Sequence, residues 1–449
     1  MKRKKDRVRK AKEEKHEPEN VMHDGVIFVE PELANKSYKI GGELVEADIV
    51  RLGANIQEQK PEPEEPEEQV NSDGLSMIAR SVEAVHGERS VMYLGEHPDY
   101  GRVKRWISTQ NRALDWIISG KADGTGGLPS GRIVEFFGDP SSGKSLLLAH
   151  VLAETQKRGG IAALVDAEAT FDWKFAEHIG LNPNNMLYST AYEKTKKKIQ
   201  VPSRMVNPED VGENGKLVEV EIETVTAASV ERTTKLISDL IDVTRYKYPN
   251  NLFVIGLDSV AILTTEHELD QPDKKDLTKA QGLRKFVREL EGKLAELDIL
   301  LICTNHTIAK IDMNPFVRVV GPKESKVTPG GSGLPFGSSL RLDLNRGIDI
   351  KEKHHGTEMV IGHQIWAFTH KSKVFPARKR IVLEMNFEKG LDPNSGLLGI
   401  LVAKGVIDEM GSAIYRYKGE RFKSHKMDKY KGFDEIVEKF PEILIIPNE

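Results

Sequence analysis

Residues 131–145 read GRIVEFFGDPSSGKS. An apolar run, Ile133, Val134, Phe136 and Phe137, leads into the turn Gly138-Asp139-Pro140-Ser141-Ser142-Gly143-Lys144-Ser145. A second apolar block, Leu146-Leu147-Leu148-Ala149, follows. The order is strand, loop, helix, with G-x-x-x-x-G-K-[ST] in the loop, which is a phosphate-binding P-loop in the context that confirms it. Gly138 and Gly143 allow a tight turn and let the backbone approach phosphate oxygens with no side chain between. Backbone N–H groups from Ser142 to Ser145 point at a β-phosphate from the positive end of the following helix. Lys144 reaches the β- and γ-phosphates, and the Ser145 hydroxyl suits Mg²⁺. A chance glycine-rich turn is the bland alternative, and the flanking strand and helix argue against it.

The rest of the chain sets bounds. Its 449 residues, 39% hydrophobic and 30% charged, suffice for one large domain or two to three ordinary ones. A formal net charge of -4 means that any nucleic-acid site is a local basic patch. The one cysteine, Cys303, excludes an internal disulfide framework and suits a reducing compartment. No apolar run is long enough to span a membrane. The first residues, MKRKKDRVRKAKEEKHE, lack an apolar core and do not read as a signal peptide, so a cytoplasmic location is expected.

Residues 1 to about 20 form a mixed-charge tail, read as a solvated arm or an auxiliary nucleic-acid contact. Short β-like runs follow at Val26-Ile27-Phe28-Val29 and Tyr38-Lys39-Ile40. The segment PEPEEPEE, residues 61–68, is an extended, solvated linker. Ser72-Asp73 are expected helix caps, with Leu75, Ile78, Val82 and Val85 at helical spacing and Gly87 as the stop. Ser90-Val91-Met92-Tyr93-Leu94 is expected to be a strand. This helix and strand either pack on a neighbouring subunit or cap their own domain.

Beyond the P-loop helix, Ile161-Ala162-Ala163-Leu164-Val165 reads as a buried parallel strand ending in Asp166-Ala167-Glu168. A carboxylate at that strand end can face the γ-phosphate and polarise a water. Asp172 and Phe175 follow on a short helix and are candidates to bound an adenine. Residues 194–223 look like an insertion holding Lys196-Lys197-Lys198, and Val218-Glu219-Val220-Glu221-Ile222 alternates as a solvent-exposed ribbon does. Helical periodicity returns from Thr224 to Arg245. Leu252-Phe253-Val254-Ile255-Gly256-Leu257-Asp258 is a second diagnostic strand, whose terminal Asp258 would hold Mg²⁺ through water. A polar stretch, residues 266–279, precedes a helix carrying Arg284, Lys285 and Arg288. The strand Ile299-Leu300-Leu301-Ile302-Cys303-Thr304 ends in Asn305-His306, a place from which a polar group can sense a γ-phosphate. The long segment 307–333 carries Lys310, Arg318, Lys323, Lys326 and Gly330-Gly331, which suit a phosphodiester backbone. Leu340 to Leu344, Ile365 to Phe368 and Ile381 to Met385 complete the sheet, with Lys371-Ser372-Lys373 between the last two.

These stretches resemble the RecA-type recombinases, including the phage UvsX branch. The matching segments, in family order, include LSMIARSVEAVHGERSVMYLGE from Leu75, GLPSGRIVEFFGDPSSGKS, VDAEATFD, LDSVAIL, ILLICTNHT, GGSGLPFGSSLRLDL, HKSK and GLDPNSGLL. The resemblance runs from about residue 74 to the C-terminus, leaving residues 1–71 and 194–223 outside it. It implies a general base at Glu168 and MgATP held by Lys144, Ser145 and Asp258. It implies adenine contacts at Asp172 and Phe175, and a γ-phosphate sensor at His306, where bacterial RecA has glutamine and UvsX-type proteins have histidine. Lys371 and Lys373 are implied to act across the interface between protomers. Two DNA-binding loops are implied around residues 266–279 and 307–331, with Lys274, Lys275, Lys279, Arg284, Arg288, Lys310, Arg318, Lys323, Lys326, Gly330 and Gly331 as contacts. Gln281 stands where many bacterial members have a DNA-contacting arginine.

The fold expected is α/β: a RecA-type P-loop ATPase core with a mostly parallel central sheet, a small N-terminal helix-strand oligomerisation element and a small C-terminal α/β region. The expected division is an extension at 1–71, the oligomerisation element at 72–106, the core at 107–389 and the C-terminal region at 390–449. The expected function is an ATPase, with ATP and Mg²⁺ as cofactors, that forms a filament or ring of its own copies on single-stranded DNA and exchanges strands with a homologous duplex. Partners implied beyond DNA are a single-strand-binding protein and a loader. The rivals are a hexameric helicase or other RecA-fold motor, and a non-catalytic assembly factor.

Overall fold

A nine-stranded sheet carries the architecture, and its hydrogen-bonded order explains where the P-loop sits. The computed structural model describes residues 38–40, 43–45, 71–206, 217–270, 278–309, 326–355, 357–425 and 430–447. The basic tail, the Pro/Glu run, Lys274, Lys275, Lys310, Arg318 and Lys323 lie outside these residues, and of Lys326 only the backbone is described. The residues group into two compact units, 1–98 and 99–449.

In the first unit, helix α1 spans Ser72–His86. Its N-cap is Asn71, whose Oδ1 accepts from the Gly74 N–H at 2.8 Å, so Ser72 and Asp73 belong to the first turn instead of capping it. Gly87 ends the helix at a φ of 95°. Leu75, Ile78 and Val85 on this amphipathic helix are exposed. Residues 90–94 run through a bend and irregular backbone into a turn, not the expected strand. A strand needs a ladder partner for its backbone groups, and among the described residues none pairs with this segment.

In the second unit the sheet strands are β1 (Ile133–Gly138), β2 (Ile161–Asp166), β3 (Met186–Ser189), β4 (Phe253–Asp258), β5 (Ile299–His306), β6 (Leu340–His354), β7 (Thr357–Ser372), β8 (Arg380–Asn386) and β9 (Gly390–Leu391). Their order is β9-β8-β7-β6-β1-β5-β4-β2-β3. The run from β6 to β3 is parallel throughout, and the three pairings from β6 to β9 are antiparallel. β1, β4 and β5 are apolar almost without break because both faces are covered. One face packs against α2 (Arg112–Ser119) and α3 (Lys144–Lys157), the other against α5 (Val230–Lys247) and α6 (Lys279–Glu296). Between them in sequence lies the short α4 (Trp173–His178).

Helix α3 is buried nearly all round, from Leu147 to Thr155. A helix of that kind needs cover on its outer side as well. The C-terminal residues supply it: Leu397, Leu401, Phe422, Phe433 and Ile436 share one core with Leu147, Leu148 and Leu152. The helical reading from Thr224 begins at Val230 instead, because Leu217–Thr226 pairs antiparallel with Glu193–Pro202 in a two-stranded ribbon. The ribbon matches the expected exposed alternation. Its basic run is ion-paired across the strands, Lys196 with Glu221 at 2.8 Å and Lys198 with Glu219 at 2.6 Å. The segment 307–333 is not without structure, since Ile308–Ala309 pairs with Lys326–Val327 and α7 (Gly333–Gly337) follows.

Candidate active site and nucleic-acid interface

Sheet register brings the candidate residues to one rim. Gly138 stands opposite His306 on one side and Leu344 on the other, and Asp258 stands opposite Asp166. The carboxyl ends of β1, β2, β4 and β5 therefore line up, which is where open α/β sheets bind ligands. A cleft of about 1110 Å³ opens elsewhere, beside β8 and β9, and contains none of the candidate residues.

The P-loop backbone fits only glycine at its start. A Cβ on Gly138 would lie 1.9 Å from the Leu344 carbonyl oxygen. Gly143, at a φ of 91°, is the N-cap of α3. The Ser142 hydroxyl is buried and has no hydrogen-bond partner among the described residues. A phosphate oxygen would satisfy it, so the loop fits a nucleotide. Lys144, only 6% exposed, donates from Nζ to the carbonyls of Gly138 at 3.1 Å and Asp139 at 2.8 Å. Burial lowers its pKa, while the charges of Asp258, Glu168 and Asp139 oppose that shift.

Asp258 is 6% exposed and accepts bonds from Ser145 and Thr304. Burial raises its pKa, the two hydroxyl bonds lower it, and the charges of Glu168 and Asp166 raise it further. Ser145 and Asp258 are hard oxygen donors side by side. Among the described residues no three His, Cys, Asp or Glu side chains form a metal cage. Mg²⁺ typically rests on one or two protein oxygens plus substrate phosphates, so this pair fits it.

Glu168 lies just past β2 and is held by two donors on the same oxygen. Ser259 Oγ donates to Oε1 at 2.5 Å, and His306 Nε2 lies 3.1 Å from it. As donor to a carboxylate, Nε2 carries the proton. His306 Nδ1 is buried without a partner among the described residues. Thr307 Oγ1 donates to Asp139 Oδ1 at 2.5 Å, tying the end of β5 to the P-loop. Ser259, Thr304 and Thr307 were given no role from sequence. Their signal was a hydroxyl directly beside an expected site residue.

Some of the other candidates have definite partners and some are exposed. Asp172 is the N-cap of α4, its side chain accepting from the Phe175 N–H at 3.0 Å, and Phe175 is half-buried. Pro140 and Ser141 are at the exposed tip of the loop, Ser141 at a φ of 59°. Lys371 Nζ donates to the carbonyls of Pro335 at 2.9 Å and Phe336 at 2.7 Å, capping α7, and Lys373 is exposed. Lys279 Nζ donates to the Ala261 carbonyl at 2.7 Å, whereas Arg284 and Arg288 on the same helix are exposed. Gly330 and Gly331 have a reason of their own to be glycine. A Cβ on them would meet Leu283 Cδ1 at 2.2 Å and Ala280 Cβ at 2.8 Å, so their segment lies flush on α6.

With this geometry in place, the sequence matches a family profile, the RecA N-terminal domain, over residues 73–212 and 237–392. The chain belongs to the RecA family. The break in the match falls in and just after the Glu193–Thr226 ribbon. Among curated RecA proteins, that of Ehrlichia canis is 30% identical over 382 residues, 82% of this chain and 89% of that protein. The RecA protein of Methylobacterium radiotolerans is 28% identical over 375 residues, covering 82% and 85%. That of Enterococcus gallinarum is 29% identical over 352 residues, covering 77% and 83%. The RecA relationship thus spans the P-loop, all four strand ends of the rim and the last strands of the sheet.

Proposed function

We propose that this RecA-family chain is a DNA-dependent ATPase that assembles on single-stranded DNA and exchanges strands with a homologous duplex. The observation that carries the reading is the convergence of Lys144, Ser145, Glu168, Asp258 and His306 on one rim of the sheet in a RecA-family chain.

The rim geometry and the RecA-family relationship together support these roles. Backbone N–H groups at the start of α3 and Lys144 bind the β- and γ-phosphates. Ser145 and Asp258 would hold Mg²⁺, which when bound offsets the charge of the phosphates. Glu168 is the general base. Ser259 and His306 fix its Oε1, leaving Oε2 to accept a proton from the attacking water. His306, bonded to that carboxylate, is the sensor whose position changes when the γ-phosphate leaves. Asp172 orders α4, and with Phe175 borders the adenine. Lys371 and Lys373 reach the nucleotide of an adjacent protomer. Arg284 and Arg288 provide phosphodiester contacts on the exposed side of α6. Among the described residues no helix is long and apolar enough to cross a membrane, and a protein acting on ATP and DNA is proposed to work in the cytoplasm.

The test is strand exchange with Mg²⁺ATP, a labelled single strand and either a homologous or a heterologous duplex. Product with the homologous duplex alone establishes the recombinase. Separation of a tailed duplex regardless of homology identifies a motor, and absence of any ATP hydrolysis identifies an assembly factor.

A further inference from the structure

Four consecutive residues, the last three of β5 and Thr307 just past it, each bond a different part of the molecule. Thr304 donates to Asp258, Asn305 Nδ2 to Glu135 Oε1 at 3.0 Å, and Thr307 Oγ1 to Asp139 Oδ1 at 2.5 Å, while His306 Nε2 sits 3.1 Å from Glu168. Three of these partners belong to the nucleotide rim. Glu135 does not. It lies inside β1, fully buried, with its side chain on the sheet face that α5 and α6 cover.

Its second oxygen, Oε2, accepts from Arg341 Nε at 2.5 Å. The Arg341 guanidinium lies 4.4 Å from the Phe137 ring centroid, and its Nη2 reaches Thr328 Oγ1 at 3.4 Å. Thr328 directly follows Lys326–Val327, and that pair is laddered to Ile308–Ala309, which directly follows Thr307. A closed ring results: Asn305, Glu135, Arg341, Thr328, the two-residue ladder, Thr307 and back to Asn305. One buried carboxylate thereby ties both stems of the segment between residues 309 and 326 to the strand end that holds His306.

A buried ion pair is a weak device for stability. Taking a carboxylate and a guanidinium out of water is costly, and a well-packed apolar pair often does as well. What the pair adds is a fixed geometry between the stems and the strand end, which a planar guanidinium bonding two partners supplies.

We propose that Glu135 and Arg341 are positioning residues for the DNA stimulation of ATP hydrolysis and not for the basal reaction, holding the Ile308–Val327 stem ladder in register with His306 and Asp139 so that DNA contact at the stems is passed to Glu168. The proposal rests on the hydrolytic roles assigned above.

The experiment uses full-length Glu135→Gln and Arg341→Lys. Gln keeps an acceptor for Asn305 but loses the charge facing Arg341. Lys keeps the charge but cannot hold Glu135 and Thr328 together. Both variants are expected to keep nucleotide affinity and DNA-free hydrolysis within about twofold, while DNA-stimulated hydrolysis falls about 3- to 30-fold. In parallel, hydrogen exchange at residues 307–309 and 326–328 is measured with and without a non-hydrolysable ATP analogue. Wild type should show nucleotide-dependent protection there, and both variants should lose it. Full stimulation with protection intact in either folded variant overturns the proposal. So does a joint fall in melting temperature, nucleotide affinity and basal rate, which marks a merely structural pair. If wild-type hydrolysis ignores DNA, the recombinase reading falls by itself, and the hydrogen-exchange comparison still decides whether the pair couples the stems to the nucleotide rim.

Discussion

At Glu168, two donors converge on one carboxylate oxygen. That arrangement fixes the side chain without satisfying both oxygens, which suits a base awaiting a water. Glu168→Gln keeps the size and one acceptor but removes the base. It should leave ATP binding intact and lower turnover by about 10²- to 10⁴-fold, read by fluorescent-nucleotide titration beside phosphate release. Normal turnover would remove Glu168 from the mechanism. Ser259→Ala removes one of the two donors and should lower kcat by about tenfold with KM little changed, the split expected of an orienting group. At this scale the sequence was informative where a residue's position in a motif constrains its chemistry: Lys144, Ser145, Glu168 and Asp258 all come to the same rim of the sheet. Glu135 passed unread because it interrupts the apolar run IVEFF by a single residue. A charge inside a strand covered on both faces must be paired, and that was the available signal.

Elements differ in how far a one-dimensional pattern specifies them. β1, β2, β4 and β5 were legible because continuous apolar runs of that length, ended by a turn or a carboxylate, have few alternatives. The long arms of β6 and β7 were read only at their buried ends, since residues 345–354 and 357–364 are mostly polar and owe their strand form chiefly to pairing between the two arms. The expected strand at 90–94 failed for the converse reason, β-rich composition with no ladder partner among the described residues. Charge runs need the same contextual reading. Lys196 and Lys198 face Glu221 and Glu219 across the ribbon, and such exposed pairs contribute at most about 1 kcal/mol. Replacing both with Ala should leave single-strand affinity and its salt dependence unchanged. Arg284→Ala and Arg288→Ala should each weaken binding to all sequences alike and flatten the plot of log affinity against log salt by about one. A steeper effect from the ribbon lysines than from α6 would reverse the assignment. On α1, Ile78 and Val85 make an exposed apolar face. If that face docks on an adjacent protomer, Ile78→Glu with Val85→Glu should shift sedimentation to monomers without lowering the melting temperature.

Across the whole molecule, two buried titratable groups set opposing pH dependences on the face of the sheet that α2 and α3 cover. Asp115 in α2 accepts from Ser108 Oγ at 2.5 Å and from Thr109 N–H at 2.8 Å and Oγ1 at 2.7 Å, anchoring the approach to the core. Burial still pushes its pKa up to about 6. His150 in α3 bonds Gln110 through Nδ1 at 2.6 Å and accepts the Leu391 N–H on Nε2 at 3.1 Å, joining the P-loop helix to β9. Burial pushes its pKa down to about 4. The signs follow from linkage. Asp115 stays protonated in the fold while the unfolded chain ionises, so its contribution is present below about pH 3.8 and is lost as pH rises through about 6. His150 stays neutral in the fold while the unfolded chain protonates, so its contribution is present above about pH 6.5 and is lost as pH falls through about 4. Each displacement is worth on the order of 3 kcal/mol, so between pH 7 and pH 4 the two largely cancel. Removing either unmasks the other. Asp115→Asn should lose more stability than wild type on acidification from pH 7 to pH 4.5, and His150→Gln should lose less, whatever each costs at pH 7. Urea midpoints at the two pH values give the comparison, with the remaining carboxylates and histidines common to all three proteins. Parallel shifts in all three would mean that neither group is held in the protonation state its burial demands. Divergence in the stated directions would make the contact of α3 with β9 the acid-sensitive joint of the ATPase core.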